Sequence, residues 1–376
     1  MVIAVNTRFL LPGKLEGFGY FTKEVLQPLT AKHPEHQFHF FFDRPFDKSY
    51  LFSSNVQGHV LSPPARHPLL WKYWFDVKVP QLLKKVKADV FLSPDGQCSL
   101  TTKVPQVLVV HDLGFLHHPE SYQTSHLRYY KHYTPKFINK AKRVITVSEF
   151  SKQDIVQQYK VSEEKISVVH NGVKDIFAPI YFDEQTAVKE KHTGGLEYFL
   201  YAGAIQPRKN LINLLKAFSV FKRRLQSSMK LVLAGRLAWK NDEFLSLLKT
   251  YKYKDDVVLT GYLEEGELAK LMASAYAFVY PSLFEGFGLP VMEAMKCGVP
   301  VLTSKASSME EISEGTAMVF DPQNVDEIAD ALMRIYKDEV GRKLLIEKGK
   351  IVAEKYSWEK TAEGVWEELL KAVSNR

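Results

Sequence analysis

The sequence has few cysteines and no long apolar run. Two of its 376 residues are cysteine, Cys98 and Cys297, and each lies beside a predicted buried element. This usage is typical of a reducing compartment and gives no reason to expect a disulfide. No run approaches the ~18 apolar residues that a transmembrane helix needs. The first residues, MVIAVNTRFLL, lack a basic segment and predict a strand instead of a signal peptide, so we expect a cytoplasmic protein.

Acidic residues are outnumbered by basic ones, and the formal net charge is +7. Such a balance favours an anionic partner, which could be nucleic acid, an anionic membrane or a phosphorylated substrate. The basic residues match no recognised nucleic-acid-binding motif, so we expect no nucleic-acid partner.

The order of predicted elements indicates two α/β domains. The 376 residues exceed the ~250–300 at which single cores stop growing. Strands alternate with helices in each half, which predicts open, mostly parallel sheets. Residues 177–195 form a poorly patterned polar segment that we interpret as a hinge. The predicted strands are 2–6, 37–42, 56–61, 90–93, 106–110, 143–147 and 166–170 before it, and 198–201, 230–234, 257–260, 277–280, 299–303 and 317–320 after it.

One stretch, residues 275–304, combines a strand, a glycine loop and a helix (AYAFVYPSLFEGFGLPVMEAMKCGVPVLTS). Residues 277–280 form an apolar run that Pro281 ends. The loop 285–288, EGFG, allows positive φ angles and close approach of a ligand to the backbone. From Leu289 to Lys296 the spacing is helical, and Gly298 is placed to end that helix. The loop and the helix N-terminus offer N–H groups that favour an anion such as a diphosphate.

Two carboxylates flank this loop, Glu285 within it and Glu293 inside the helix. An ionised carboxylate only accepts hydrogen bonds, so beside a phosphate it suits hydroxyl donors such as those of sugar and ribose rings. The alternative is structural: Glu285 would cap the turn and Glu293 would be a solvated helix residue. Two glutamates around GFGLP, separated by seven residues, favour the binding interpretation.

This pair of glutamates with GFGLP between them resembles the retaining glycosyltransferases of family 4. The resemblance implies the GT-B fold, in which two Rossmann-like α/β domains have parallel sheets facing a central cleft. It implies an N-terminal acceptor-side domain at 1–176, a C-terminal nucleotide-sugar-binding domain at 177–355, and a helix at 356–376 that crosses back to the first domain. It further implies that Glu285 faces the transferred hexose and that Glu293 faces the ribose.

A basic loop, GAIQPRKN, follows the first strand of the second half. Arg208 and Lys209, just before an amphipathic helix, can place two cations on a diphosphate. The alternative is a solvated basic helix start, but cations at a helix N-terminus oppose the helix dipole. The loop resembles the phosphate clamp of the family.

Three residues of the first half are also assigned to the donor. His111 ends a predicted strand, where ligands bind in open α/β sheets. A lone histidine is more often structural, but HDL at this place is similar to the retaining hexosyltransferases, so His111 is expected to contact the sugar without acting as a base. Gly17 and Gly19 form an incomplete dinucleotide fingerprint before a helix, and a similar loop faces the cleft in GT-B enzymes.

The resemblance extends to loops that would surround the nucleotide base, at Gly235 and Leu263. The predicted catalytic residues are His111, Arg208, Lys209 and Glu285. The predicted donor-binding residues are Gly17, Gly19, Gly203, Arg208, Lys209, Gly235, Leu263, Glu285, Gly286, Phe287, Gly288, Leu289 and Glu293.

No cofactor and no metal ion are expected. The sequence lacks Asp-x-Asp, with which many sugar transferases of the other main fold hold a divalent ion on the diphosphate. The histidine pairs 33/36 and 117/118 lie beside prolines and are interpreted as non-ligands. Positive charge from Arg208, Lys209 and the helix N-terminus can stabilise the departing diphosphate instead.

The segment from Leu70 to Lys87, LWKYWFDVKVPQLLKKVK, is both aromatic and basic. Trp71, Trp74 and Phe75 favour packing in the core, with the lysines on a solvated face. The alternative is contact with an anionic membrane that carries a lipid-linked acceptor. Residues 117–133 are a second candidate for the acceptor side.

Together these patterns predict an enzyme that moves a hexose, mannose from GDP-mannose in first place, to a glycan or lipid-linked acceptor. It would act in the cytoplasm, with peripheral contact at the inner membrane face as one option. A UDP-hexose donor is the runner-up. A nucleotide-sugar hydrolase or epimerase would not need the glutamate pair. A non-catalytic nucleotide-sugar sensor would tolerate loss of Lys209, His111 or Glu285, and all three are present.

Overall fold

The computed structural model describes residues 1–13, 15, 17–238 and 241–374. They form two compact units: Met1–Gly172 together with the C-terminal segment from Ser357, and Val173–Tyr356. Each unit is built on one fully parallel sheet whose strands are joined by helical crossovers. The predicted architecture of two parallel α/β domains is confirmed.

The inner strands of the first unit's sheet are mostly buried and apolar, as a parallel sheet covered by helices requires. The strands are β1 (Val2–Asn6), β2 (Gln37–Phe42), β3 (Val56–Val60), β4 (Val90–Ser93), β5 (Gln106–Val109), β6 (Arg143–Thr146) and β7 (Ile166–Val168). Their order in space is β3-β2-β1-β4-β5-β6-β7.

Helices connect these strands. They are α1 (Phe18–Lys32), α2 (Pro68–Tyr73), α3 (Val79–Lys85), α4 (Gly114–His117), α5 (Thr124–Lys140) and α6 (Glu149–Tyr159). A π-helical turn, Trp74–Lys78, joins α2 to α3, so residues 68–85 form one continuous helical segment. Ser148 caps α6, because its side chain accepts a hydrogen bond from Ser151 N.

The second unit repeats the plan with a six-stranded sheet. Its strands are β8 (Tyr198–Ala202), β9 (Lys230–Ala234), β10 (Val257–Gly261), β11 (Ala277–Tyr280), β12 (Val301–Ser304) and β13 (Met318–Phe320). The spatial order is β10-β9-β8-β11-β12-β13. All strands are parallel, but the chain adds strands on one side of β8 as far as β10 and then on the other side from β11 onward. Such a switch point opens a crevice at the carboxyl ends of β8 and β11.

The remaining helices are α7 (Phe182–Thr193), α8 (Leu211–Leu225), α9 (Asp242–Lys249), α10 (Glu265–Ala273), α11 (Leu289–Lys296), α12 (Met309–Ser313), α13 (Val325–Lys337), α14 (Glu339–Ala353) and α15 (Trp358–Ser374). Residues 177–195, which the sequence presents as poorly patterned, contain the helix α7, and their role as a hinge stays a prediction. The last helix, α15, packs against α1 and the strands β4, β5 and β6 of the first unit.

Candidate functional site

Two loops meet at the switch point of the second sheet. One follows β8 and runs from Gly203 to Asn210, and the other follows β11 and runs from Pro281 to Gly288. They are joined directly, since Leu283 N donates to Arg208 O at 2.9 Å. The sequence pattern that predicted a ligand-binding loop after β11 therefore lies beside the predicted basic loop.

The basic loop has a fixed local conformation. Residues Pro207–Lys209 form one 3₁₀ turn, and Asn210 follows in the left-handed region at φ 60°. Asparagine tolerates this conformation better than most residues. Its side-chain amide donates to the carbonyl oxygens of Pro281, at 3.1 Å, and Pro322, at 2.6 Å. These bonds hold the loop against the neighbouring strand ends.

Arg208 and Lys209 both pair with Glu285. Lys209 Nζ lies 2.5 Å from Glu285 Oε1 and donates to the Tyr280 hydroxyl at 2.6 Å. Arg208 Nη1 lies 3.2 Å from Glu285 Oε2. Lys209 is 7% exposed and Glu285 is 8% exposed. The alternative of a solvated basic helix start is therefore wrong for Lys209.

Glu285 is the ionised centre of this cluster. Ser282 Oγ donates to its Oε1 at 2.5 Å, and the Tyr280 hydroxyl does so at 3.2 Å. Burial opposes ionisation, but Arg208 and Lys209 outweigh it and lower the pKa of Glu285 to about 2. The cluster thus combines two cations with one anion at neutral pH, leaving net positive charge where the two loops meet.

The loop after β11 is held to its neighbours through its backbone. Glu285 N donates to Ser307 Oγ at 2.9 Å, and Ser308 Oγ donates to the carbonyl oxygens of Glu285 and Phe287, both at 3.0 Å. Gly288 has φ 96°, and a Cβ there would lie 2.2 Å from Met309 Cε. The positive φ favours glycine at this position, and any larger residue would also have to displace the Met309 side chain.

The start of α11 can receive an anion. Gly288 is its N-cap and provides no side-chain cap, and Leu289 is its first residue. The first N–H groups of an α-helix have no partner within the helix, and the helix dipole favours negative charge there. The helix therefore begins directly after the loop that carries Glu285, as the sequence predicts.

Glu293 lies in the second turn of α11, and no contact joins it to Glu285 within the described ranges. It is partly buried, so the alternative of a freely solvated helix residue does not hold. Burial raises the pKa of Glu293 to about 8, and the charge of Glu265 adds to that rise while Lys174 opposes it. Its carboxyl group is thus mainly protonated at neutral pH and can donate as well as accept.

Glycines terminate the three neighbouring strands β8, β9 and β10. Gly203 N donates to Ala234 O at 2.8 Å, and Gly235 N donates to Gly261 O at 2.9 Å. A Cβ on Gly235 would lie 2.0 Å from Gly203 O, so only glycine permits this close approach. Leu263 follows two residues after the end of β10. The roles predicted for Gly203, Gly235 and Leu263 in base binding stay predictions.

The structure places His111 in the first unit, just after β5. Its Nε2 lies 2.9 Å from Pro94 O, which can only accept, so Nε2 carries the proton. Burial lowers the pKa of His111, although the Pro94 bond and two nearby aspartates oppose this, and the neutral ring keeps Nδ1 as an acceptor. The geometry suits a sugar hydroxyl at Nδ1, and this role stays a prediction.

Gly17 and Gly19 also lie in the first unit. Gly17 is the N-cap of α1 with φ 39°. Gly19 lies inside α1, where a Cβ would come 2.6 Å from Phe9 O. The predicted loop also includes Lys14 and Glu16, which fall outside the described residues. The structure shows why glycine is needed at position 19, and the donor contact stays a prediction.

One group of potential metal ligands occurs among the residues that the structure describes. His33, Glu35 and His36 have ligand atoms within 4.8 Å of one another, in the first unit. The prediction that these histidines bind no metal ion is not tested by this geometry. The group belongs to the α1–β2 connection and not to the loops after β8 and β11.

Sequence reasoning missed four residues that hold Glu285. Tyr280 and Ser282 flank Pro281 at the end of β11. Polar residues at the carboxyl end of a parallel strand are typical of a ligand site, so the sequence could have indicated them. Ser307 and Ser308 belong to the loop between β12 and α12, more than 20 residues further along the chain, and nothing in their local pattern indicates the contact.

Comparison with known proteins gives consistent matches over the chain. The family model described as "Glycosyltransferase Family 4" matches residues 17–175, and the model described as "Glycosyl transferases group 1" matches residues 182–352. O-antigen chain mannosyltransferase B of Escherichia coli is 28% identical over 358 residues, covering 92% of this chain and 93% of that protein. O-antigen chain mannosyltransferase RfbU of Salmonella typhimurium is 28% identical over 297 residues, covering 74% of this chain and 77% of that protein.

The fold also matches a solved structure. The crystal structure of Anabaena Alr3699/HepE in complex with UDP and glucose has a TM-score of 0.76 to this chain and covers 98% of both chains. The two sequences are 17% identical, so the likeness concerns the fold.

Proposed function

Since this chain belongs to the family 4 glycosyltransferases and has their GT-B fold, we propose that it is a retaining hexosyltransferase that moves mannose from GDP-mannose to a hydroxyl group of a glycan or lipid-linked acceptor. The observation that carries the proposal is the buried cluster of Arg208, Lys209 and Glu285 beside the uncapped start of α11. Two relatives that align over most of the chain are named mannosyltransferases, which supports mannose as the hexose.

The proposed chemistry uses the cluster as a diphosphate site. Arg208, Lys209 and the first N–H groups of α11 would stabilise the negative charge that develops on the departing nucleoside diphosphate. Glu285 would position both cations through its ion pairs and contact the hexose. The bond between the anomeric carbon and the β-phosphate oxygen breaks while the acceptor oxygen bonds to the same carbon from the same face. The acceptor proton passes to the β-phosphate oxygen.

The nucleotide would lie along α11. Glu293 is about two turns from Glu285 along the chain, and its carboxyl group can exchange hydrogen bonds with the ribose hydroxyls. Because the pKa of Glu293 is raised to about 8, binding a pair of hydroxyl donors would favour release of its proton. Cytoplasmic location and peripheral contact with the inner face of the membrane complete the proposal.

The donor is tested by comparing hydrolysis rates of GDP-mannose, UDP-glucose and UDP-N-acetylglucosamine. We expect GDP-mannose to be hydrolysed fastest, in keeping with the mannosyltransferase relatives. A UDP-hexose is the second candidate, favoured by the fold match to a protein that holds UDP and glucose. A clear preference for either UDP sugar overturns the assignment to GDP-mannose and leaves the diphosphate site standing.

We also propose that transfer needs no metal ion. Arg208 and Lys209 supply two positive charges at the site proposed for the diphosphate. These charges would stabilise the departing diphosphate, as a divalent cation does in metal-dependent transferases. Activity measured in excess EDTA should therefore equal activity without it. Complete loss in EDTA, restored by magnesium or manganese, would show that the leaving group is stabilised in another way.

A further inference from the structure

The first sheet also has a switch point, at the carboxyl ends of β1 and β4. The chain forms β2 and β3 on one side of β1 and continues with β4 on the other side. Arg8 lies two residues after the end of β1, and Asp95 lies two residues after the end of β4. Arg8 Nε donates to Asp95 Oδ2 at 2.5 Å, so this ion pair lies where open parallel sheets bind ligands.

The guanidinium group of Arg8 is buried among aromatic rings. Arg8 is 4% exposed, and its Cζ lies 4.8 Å from the ring centre of Phe9, 5.6 Å from that of Trp71 and 5.3 Å from that of Phe75. Arginine carries five N–H donors, and the bond to Asp95 uses the one on Nε. Within the ranges that the structure describes, no residue accepts a hydrogen bond from Nη1 or Nη2. Buried donors without a partner cost free energy, so these two nitrogens suit a ligand that brings acceptor oxygens.

A second polar group without a partner lies beside these rings. The ring of Tyr130 is stacked on that of Trp71, with ring centres 6.1 Å apart and 15° between the planes. No described residue forms a hydrogen bond with the Tyr130 hydroxyl. Burial raises the pKa of Tyr130, although the charge of Arg8 opposes the rise, so the hydroxyl keeps its proton at neutral pH. We define the arginine subsite as Arg8, Asp95, Tyr130, Phe9, Trp71 and Phe75.

The arginine subsite is adjacent to His111, the predicted sugar contact. Asp95 of the subsite directly follows Pro94, whose carbonyl oxygen accepts a hydrogen bond from His111. The ring centre of Phe9 is 5.4 Å from that of Phe18, which in turn is 5.0 Å from that of His111. Two separate sets of contacts therefore place the subsite and His111 side by side at one edge of the first sheet.

The charges of the arginine subsite favour a neutral ligand. The guanidinium charge of Arg8 is balanced at contact distance by Asp95. His126, whose ring centre is 5.0 Å from that of Trp71, is neutral because burial lowers its pKa. An anionic group would be attracted by Arg8 but repelled by Asp95. A neutral group gains the hydrogen bonds of the two terminal nitrogens without that repulsion.

We propose that the arginine subsite binds the acceptor and selects a neutral sugar ring, with Arg8 donating to two neighbouring hydroxyl groups and Tyr130 bonding to a further one. Phe9 and Tyr130 are partly exposed, so their rings can pack against the apolar C–H face of a sugar. Binding pockets typically combine such apolar walls with a few fixed polar groups. The inference rests on the proposed function, since it names the chemistry of the acceptor in the same transfer.

A purely structural role for Arg8 explains less. The ends of β1 and β4 are already joined, because Asn6 Nδ2 donates to Ser93 Oγ at 3.0 Å. A structural arginine would need the ion pair with Asp95, but it would not leave Nη1 and Nη2 unbonded in the described part of the chain. Lysine separates the two roles, because it keeps a positive charge beside Asp95 but lacks the planar fork that binds two oxygen atoms at once.

The experiment is a titration of the full chain with simple sugars, monitored by saturation-transfer difference NMR without donor or nucleotide. The neutral probes are the methyl α-glycosides of mannose, galactose and N-acetylglucosamine, and the anionic probes are methyl glucuronide and mannose 6-phosphate. We expect at least one neutral glycoside to bind, and to bind more tightly than either anion. Arg8→Lys should raise its Kd by about tenfold or more, and Tyr130→Phe should raise it by about threefold to tenfold.

Matched controls make the same exchanges elsewhere on α5. Arg128→Lys changes an exposed arginine, and Tyr133→Phe removes the hydroxyl of a ring that lies under Lys136. Both controls should bind the glycoside like the unchanged protein. Circular dichroism and thermal midpoints show whether each variant is folded. If Arg8→Lys is not folded, Tyr130→Phe decides, because the hydroxyl that it removes bonds to no described residue.

The inference is overturned if no neutral glycoside binds the unchanged protein, if an anionic probe binds more tightly, or if the Arg8 and Tyr130 variants bind like the controls. Affinity for GDP should be the same in all variants, since the loops after β8 and β11 belong to the second unit. Glycoside binding by a protein that hydrolyses no donor contradicts the proposed function and leaves the sugar site standing. Donor hydrolysis without glycoside binding contradicts this inference alone.

Discussion

Replacing Glu285 with glutamine is expected to lower turnover by about a hundredfold or more, as for loss of one preorganised group at a reacting centre. The carboxylate accepts hydrogen bonds from Lys209, Tyr280 and Ser282 and pairs with Arg208. A neutral amide keeps an acceptor oxygen but loses both ion pairs. Affinity for the nucleoside diphosphate should change little, because two effects oppose each other. Arg208 and Lys209 are held less firmly without the ion pairs, but the negative charge that competes with the diphosphate for them is also gone.

Glu293→Gln should mainly change affinity, whereas Glu285→Gln should mainly change turnover. The variant should bind the nucleoside diphosphate more weakly, with a smaller loss of turnover at saturating donor. The pKa of Glu293 is about 8. Below that pH its carboxyl group is mostly neutral and resembles the amide, and above it the ionised form is the better acceptor for ribose hydroxyls. The difference in affinity between the unchanged protein and the variant should therefore grow as pH rises through about 8.

The two variants are compared by calorimetric titration with GDP and by turnover at several pH values. Each variant serves as the control for the other, since both exchange a carboxylate for an amide near the same helix. Equal loss of GDP affinity in both, or a reversed pattern, contradicts this division of roles.

Replacing Lys209 with alanine should weaken GDP binding by roughly 10–150-fold, which corresponds to the roughly 1.5–3 kcal/mol of a hydrogen bond to a charged group. Its ammonium group is buried against Glu285 and Tyr280, where water screens its charge less than at the protein surface. Turnover should fall as well, because the same charge would stabilise the departing diphosphate. Calorimetric titration with GDP measures the change.

Lys216→Ala is the matched control. Lys216 is an exposed lysine of α8, the helix that follows the basic loop, and its loss should leave GDP affinity unchanged. Thermal unfolding of both variants separates a binding defect from a folding defect, since removing one partner of a buried ion pair can cost about 3–5 kcal/mol of stability. Unchanged GDP affinity in a folded Lys209→Ala protein would remove Lys209 from the site.

The strand–loop–helix–strand unit around GFGLP could be predicted because each of its boundaries has a local cause. The buried run 277–280 ends at Pro281, and the structure gives β11 the same bounds. The helix 289–296 also has the predicted bounds, with Gly288 before it and Gly298, at φ 74°, after it. Strand β12 begins at Val301, two residues later than predicted, since Pro300 has no N–H for a ladder.

Helix α7 could not be predicted from hydrophobic periodicity. Of its residues Phe182–Thr193, only Thr193 is buried, so the helix has no apolar stripe to indicate its period. The contacts of Glu285 with Ser307 and Ser308 could not be predicted for a different reason. These serines are distant from Glu285 in the sequence, and only the tertiary fold brings them into contact with it. Local sequence therefore located Arg208, Lys209 and Glu285, but not the contacts that bury and orient them.

The segment 70–87 is divided between the core and the surface, and the alternative of membrane contact stays a prediction. No described helix is long and apolar enough to cross a membrane. Trp71, Trp74 and Phe75 are in the core, whereas Tyr73 is exposed, as are most of the lysines. The π-helical turn at Trp74–Lys78 shifts the helical period within the segment, so a single 3.6-residue pattern does not separate inner from outer positions.

The central claim is that the diphosphate of a nucleotide-sugar binds at the loops after β8 and β11. A crystal structure of the protein with GDP tests it most directly. We predict that oxygen atoms of the diphosphate lie within hydrogen-bonding distance of Arg208, Lys209 and the first N–H groups of α11, with the ribose hydroxyls on Glu293. A diphosphate bound elsewhere, with no phosphate oxygen within hydrogen-bonding distance of Arg208 or Lys209, would contradict the claim.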